Sequence, residues 1–409
     1  MQKISVRCCV VGGGPAGVMA GLLLARSGID VIVLEKHADF LRDFRGDTIQ
    51  PSTLEVMHEL GLLEAFLALP HQKATTLRAQ IGDVAVTMAD FSHLKRRCPY
   101  IAFMPQWDFL DFLARCGARY PTFALKMRTE ATGLIEEGGR VAGVTAQGPR
   151  GALEIRADLV IAADGRSSLI RERAGLPVEE VGAPMDVLWF GLPRDPGDPD
   201  ETMGRFDAGR ILIAIDRGTQ WQFGYVIPKG TLDAVHAKGI AAFRAHIAAL
   251  APYAADRVAA LDDWEKVKLL TVQVNCLRRW HRAGLLCIGD AAHAMSPVGG
   301  VGINLAIQDA VAAANLLAGP LAARQVDEAD LARVERRRAF PMRVTQAFQI
   351  AVQNRVLSRA LGSSGALKLP LLLRLVRRFP LLRRVTARLL GVGIRPEHVR
   401  LQPRWPDKG

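Results

Sequence analysis

Three glycines, Gly12, Gly14 and Gly17, stand at the spacing G-x-G-x-x-G between an apolar run and a helix-like stretch of small residues, and the next apolar run ends on Glu35. That order of residue types suits a dinucleotide. The first glycine permits a tight bend, the second lets backbone approach a pyrophosphate, the third allows a helix to close on a strand, and the acid accepts the hydroxyls of a ribose. Pro15 and Ala16 open the helix and Lys36 follows the acid, so all three belong to the same cradle. A carboxylate at 35 repels a 2′-phosphate, which leaves NAD and FAD as the nucleotides that fit.

Two later segments bear on that choice. Residues 157–176, ADLVIAADGRSSLIRERAGL, carry an apolar strand into Asp164 and Gly165 and then into a helix with Arg166 and Arg171. Residues 289–310, GDAAHAMSPVGGVGINLAIQDA, set Gly289 and Asp290 after the apolar run Leu285 to Ile288, then string small residues before a helical pattern from Asn304 to Leu317. Glycine is used where a side chain would block close approach, and a helix start offers unpaired N–H groups and positive potential. One dinucleotide clasped at both ends by segments this far apart suggests FAD lying extended across the domain.

The elements that must position these turns are strand–turn–helix units in a chain of 409 residues, enough for two or three domains or one composite unit. Apolar residues make up 49%, so the chain folds. Residues 177–275 hold strand-like runs, MDVLWFGLP, RILIAID and WQFGYVIP, separated by Gly, Pro and Asp turns, before the chain returns to the Gly289 segment. The expected division is a nucleotide domain in three parts, 1–72, 105–176 and 276–325, interrupted by substrate-domain residues 73–104 and 177–275, with a basic helical segment at 326–409. Six cysteines form no C-x-x-C pair and no His/Cys set spaced for zinc, so no metal is expected and reduced thiols in a cytoplasm fit best. The N-terminus runs straight into a strand pattern without the regions of a secretory signal.

In order and spacing, GGGPAG, the ADG segment and GDAAHAMSP followed by GxGxN resemble the fingerprints of the class A flavoprotein monooxygenases, the family of p-hydroxybenzoate hydroxylase, over at least residues 4–317. The resemblance implies an α/β fold, with a glutathione-reductase-type Rossmann-like FAD domain, an interleaved mixed-sheet substrate domain and a C-terminal helical segment. It implies bound FAD, transient NAD(P)H and dioxygen, with one oxygen atom passed from a flavin hydroperoxide to an aromatic or other electron-rich small molecule. FRGDTIQPSTLEVMHELGL and PQWDFLDFL resemble the segments from which Arg45 and Gln106 would reach the FAD. Pro297, Gly300 and Gly302 would line the flavin and stabilise its reduced form, with Ile303 and Asn304 at the helix start, and His293 would be structural. Trp189, Arg205, Arg210, Gln222 and Tyr225, on the strand-like runs of the expected substrate domain, are the substrate-side candidates.

Rival readings are an FAD-dependent reductase or dehydrogenase of an isoprenoid or polyketide-like compound, and a non-catalytic membrane-associated flavoprotein. Halogenase chemistry is a lesser one, since Phe223 stands where the second tryptophan of W-x-W-x-I-P belongs. Of 53 bases and 41 acids, 18 and 3 fall in residues 331–409, so the tail carries +15 and the rest −3. The tail alternates apolar residues with Arg374, Arg377, Arg378, Arg383, Arg384 and Arg388, and reads as short amphipathic helices broken at Pro380. Such helices either cover the substrate domain or form a subunit interface, in a protein expected to be a monomer or homodimer, or lie on an anionic membrane at its inner face. No aromatic stacking platform accompanies the charge, so nucleic acid is not an expected partner.

Overall fold

The computed structural model describes residues 1–41, 47–200, 202–363, 365, 367 and 369–404. Its largest sheet has eight strands, with the path His281–Arg282, Leu285–Cys287, Gly151–Ala162, Gln2–Val11, Val31–Leu34, Phe123–Lys126. The central four, from Leu285–Cys287 to Val31–Leu34, run parallel, and their register aligns Val11 with Leu34 and Ala162, and Ala162 with Cys287. These strands are nearly continuous apolar runs because both faces are covered, as a parallel sheet requires. The helices Pro15–Arg26 and Gly302–Ala323 pack against each other in the same core as the sheet. Shared register has a direct consequence. Gly12, Glu35, Asp164 and Gly289 all follow the carboxyl ends of neighbouring strands, the edge where open α/β sheets bind ligands.

A second sheet of seven strands runs Lys268–Leu270, Met185–Pro193, Gln220–Pro228, Arg210–Asp216, Met203–Asp207, Thr76–Ile81, Val84–Asp90. Its last two strands come from a chain segment that ends at Asp90, well before the others begin at Met185, so the sheet closes only when the chain has left the first core and returned. One face packs Leu188, Phe190, Phe223 and Tyr225 on Phe243 and Ile247 of the helix Gly239–Leu250. The other face, with Val187, Ile211, Ile213 and Trp189, meets Val298 and Val301 of the glycine loop.

The helix Glu328–Val352 starts with a capping box in which Asp327 and Asp330 satisfy each other's backbone N–H groups. It pins the glycine loop from outside, since Gln349 Nε2 donates to Ser296 O at 2.8 Å and Val298 O at 2.7 Å. Two shorter helices, Leu371–Arg378 and Pro380–Gly391, follow. The break falls at Phe379, and Pro380 takes the first helical position, where its missing N–H costs nothing. Leu373, Val376, Ala387 and Leu390 turn inward and pack near the Val84–Asp90 strand. Helix Gly302–Ala323 belongs to a segment long and apolar enough to cross a membrane, but that segment is 83% buried and is a core helix. The six cysteines are all free thiols.

Candidate functional site

At the first turn Gly12 adopts φ +107°, and a Cβ there would lie 2.3 Å from Ala163 O. A Cβ on Gly17 would lie 1.9 Å from Gly12 O, so this glycine lets the helix sit on the turn. Gly14 differs: the space its Cβ would occupy is open to 4 Å. As N-cap of helix Pro15–Arg26 it offers no side-chain bond, so no side chain caps the start of this helix. This is the arrangement that binds phosphate at a helix start. Gly165 and Gly302 are open in the same way. The residues present therefore fit an extended FAD.

Glu35 is buried, and its carboxylate accepts from Gly13 N at 3.0 Å and His37 N at 2.9 Å. Two backbone donors fix its direction at the rim of the turn. Lys36 is exposed, 4.0 Å from Glu130. Asp164 turns inward, accepting from Ser168 Oγ and from Ile170 N at 3.1 Å, and so holds Ser168, the N-cap of the helix Leu169–Arg173, in place. Burial raises its pKa above the usual carboxylate range, and those hydrogen bonds oppose the rise. Arg171 donates to Ala291 O at 3.1 Å and Arg166 stands 3.6 Å from Asp290, which joins the second turn to the third. Asp290 keeps a third of its side chain open to solvent.

Gly289, at φ +59°, packs its Cα side on Ala16 and donates its N–H to Asp309 Oδ2 at 3.1 Å. The same carboxylate accepts from Arg338 Nε at 2.8 Å and contacts His293 Nε2 at 2.6 Å. His293 is thus a buried partner of Asp309, with its ring on Trp280. Burial works against the charge on Asp309, but His293 and Arg338 outweigh it and hold the pKa below the usual range.

Beyond Pro297, Gly299 and Gly300 take φ +78° and +60°. Thr48 Oγ1 donates to Gly300 O at 2.7 Å, and Gln50 Nε2 donates to Gly299 O and Gly300 O. Ser52 and Thr53 bring their hydroxyls to Asn304 Oδ1. Ile303 and Asn304 are buried, and Gly302 begins its helix with no side-chain cap, so N–H groups there are available to an electron-rich ring. Gln106 is half-buried as the first residue of helix Gln106–Gly117. Arg45 lies outside the described residues.

The second sheet divides the substrate-side candidates. Trp189 and Gln222 lie on the face toward the glycine loop, with the Trp189 indole across Gly224, where a Cβ would lie 3.0 Å from the ring. Arg210 and Tyr225 line a separate pocket of about 330 Å³ on the opposite face with Lys238 and His246. Arg205 pairs with Leu212 and shares that far face. One substrate site therefore cannot hold both groups. Sequence reasoning missed Asp47, buried and ion-paired with Arg217, which stacks on Trp107 at 5.4 Å. It also missed Thr48, Gln50, Asp309 and Arg338. Among the described residues no cluster of His, Cys, Asp or Glu is arranged to hold a metal.

The chain matches the FAD binding domain family over residues 5–348. It is 35% identical over 384 residues to the 6-methylpretetramide 4-monooxygenase of Streptomyces rimosus, covering 93% of this chain and 91% of that protein. Against the digeranylgeranylglycerophospholipid reductase of Methanocella arvoryzae it is 27% identical over 343 residues, 80% of this chain and 81% of the relative. The crystal structure of p-nitrophenol 4-monooxygenase PnpA from Pseudomonas putida DLL-E4 shares the fold with a TM-score of 0.75 at 20% identity, covering 94% of this chain and 99% of that one.

Proposed function

The chain belongs to the FAD binding domain family as an FAD-dependent monooxygenase, and from that premise we propose that its substrate is a hydroxylated aromatic or polyketide-like ring system. Bound FAD, reduced by NAD(P)H, supplies the activation of dioxygen from which one oxygen atom reaches an electron-rich carbon. In this reading Gly12, Gly14, Pro15, Ala16 and Gly17 take the pyrophosphate, and Glu35 with Lys36 takes the adenosine ribose. Asp164, Gly165, Gly289 and Asp290 take the other half of the dinucleotide. Pro297, Gly300, Gly302, Ile303 and Asn304 carry the ring, and the first sheet and second sheet act as nucleotide and substrate domains.

The observation that carries the substrate class is the face around Trp189. It is apolar, with Ile213, Ile215, Phe103 and Val301, yet Trp189 Nε1 and Gln222 Oε1 are buried there without partners. A flat apolar molecule bearing a hydroxyl and a carbonyl complements one donor and one acceptor on an apolar wall, and its rings exclude water. The test is NAD(P)H oxidation and dioxygen uptake with 4-hydroxybenzoate, 2-naphthol and hydroxylated anthraquinones. Stimulation by the polycyclic compounds over 4-hydroxybenzoate is expected; the reverse order contradicts the substrate class.

We also infer peripheral contact with an anionic lipid surface. Leu371, Leu375, Leu381 and Val385 on the two short helices, and Phe379 at the break between them, are 39% to 71% exposed. Residues 336–396 contain 14 Lys and Arg and no Asp or Glu, the charge an anionic bilayer attracts. The expected result is flotation with phosphatidylglycerol vesicles, weakened at least tenfold by Leu371→Glu with Leu381→Glu. Equal flotation of both proteins, or none of the wild type, contradicts the contact.

A further inference from the structure

The cavity of about 330 Å³ on the far face of the second sheet is walled off from the glycine loop by the sheet itself. Its floor is formed by the strands Arg210–Asp216 and Gln220–Pro228, and its cover by the helices Leu232–Ala237 and Gly239–Leu250. Alternation puts Arg210 on the side of Leu212, whose cross-strand partner is Tyr225, so both side chains face the helices. Lys238, where the two helices join, and His246 complete the polar lining, and among the described residues no Asp or Glu lines the cavity. Its walls are otherwise apolar, with Ile227 and Phe243 both 2% exposed. The Tyr225 ring meets Phe243 edge-on at 5.5 Å and lies nearly parallel to the His246 ring at 6.5 Å.

Tyr225 is 6% exposed, yet its hydroxyl stands 3.5 Å from His246 Nδ1, long for an O–H···N bond. Burial pushes the phenol up, so the hydroxyl keeps its proton and can donate. Burial, and then Arg210 and Lys238, hold His246 below its ordinary value, so its ring is neutral at pH 7. Arg210 reaches Asp207 through one nitrogen at 3.4 Å, and a guanidinium has five N–H groups to give. Arg210 and Lys238 set against Asp207 leave one positive charge in excess. We propose that this cavity is a second ligand site, which takes a small aromatic carboxylate. One carboxylate balances the excess charge, its oxygens accept from Arg210 and the Tyr225 hydroxyl, and one ring fills the apolar space beside Ile227 and Phe243. The volume is at the low end for ligand pockets and suits one ring better than a polycyclic substrate. The proposal is independent of the reading of the Trp189 face.

The experiment titrates 4-fluorobenzoate into the holoenzyme and follows the fluorine NMR line width and the flavin absorbance together. Saturable binding is expected with the flavin spectrum unchanged, because the sheet separates the ligand from the cofactor side. Arg210→Gln should weaken binding about tenfold, and 4-fluorobenzyl alcohol, the same ring without the charge, should bind wild type about tenfold more weakly than the acid. Ala242→Phe, which fills the cavity from the helix side and keeps its charges, should abolish binding in preparations matched for flavin content. No saturable binding by wild type, equal affinity in either variant, or equal affinity for the acid and the alcohol overturns the proposal. A flavin absorbance change that tracks the fluorine signal, or displacement of the acid by 2-naphthol, puts the ligand on the Trp189 face and overturns the second site as well.

Discussion

A Gly12→Ala variant is expected to purify without its yellow colour. The added Cβ would meet Ala163 O at 2.3 Å and Ala163 C at 2.5 Å, both backbone atoms of the neighbouring strand. Neither can move away, because Gly12 N donates to Leu34 O at 2.8 Å and Ala163 N to Val11 O at 2.7 Å, stitching the turn to both flanking strands. At φ +107° a side chain is strained even without the clash. The turn must therefore lift off the sheet, carrying the start of helix Pro15–Arg26 away from the phosphates it would hold. A loss of about 3 kcal/mol, at least a hundredfold in FAD affinity, is expected from flavin fluorescence titration. Gly14→Ala provides the contrast. Its φ is −74° and its Cβ would meet nothing, so the apoprotein should melt at the wild-type temperature while FAD binds more weakly. Equal FAD affinity in Gly14→Ala and wild type would contradict the phosphate assignment.

Asp309→Ala is expected to cost about 3 kcal/mol of folding stability, because it takes the nearer carboxylate from the Arg338 guanidinium in a site 1% exposed and leaves it only Glu397 at 3.6 Å. The same change removes the acceptor for Gly289 N, so the third glycine turn loses its anchor. Chemical denaturation measures the first effect, and bound flavin the second. The pH dependence has a definite sign. Asp309 has a folded pKa below its unfolded value, so its contribution is present above the ordinary carboxylate pKa of about 4 and is lost as pH falls through the folded value. Wild type should therefore lose stability below about pH 4 more steeply than Asp309→Asn. Parallel acid transitions in the two proteins would show that the charge on Asp309 is not what holds this junction.

The three glycine turns at the sheet edge were legible as turns because each carries its signal locally: glycine at a bend, an acid at a strand end, small residues before a helix. The second sheet was legible as strands, but its faces were only half so. Trp189 and Gln222 lie on different strands, and Gln222 and Tyr225 are three residues apart on one strand, which by alternation alone sets them on opposite faces. Arg210 could not be assigned by such counting, since its face depends on the cross-strand register of Leu212 with Tyr225. Asp309 did leave a mark, as the one charged residue of helix Gly302–Ala323. A lone charge in an apolar helix needs a partner, but Arg338 belongs to the next helix and Glu397, 3.6 Å from Arg338, to the far end of the chain. Asp47 follows the FRG segment and reads as surface, and Arg217 reads as a hairpin-turn residue; only the approach of the two sheets buries them together.

The most direct measurement is the origin of the oxygen in the product. Purified holoenzyme, NAD(P)H and the most stimulating polycyclic compound are incubated under 18O-labelled dioxygen, and the product is weighed by mass spectrometry. One labelled oxygen atom per product molecule, with one NAD(P)H and one dioxygen consumed, is the predicted result. A product that has gained hydrogen and no label, formed equally well without dioxygen, would contradict monooxygenation and make the chain a reductase.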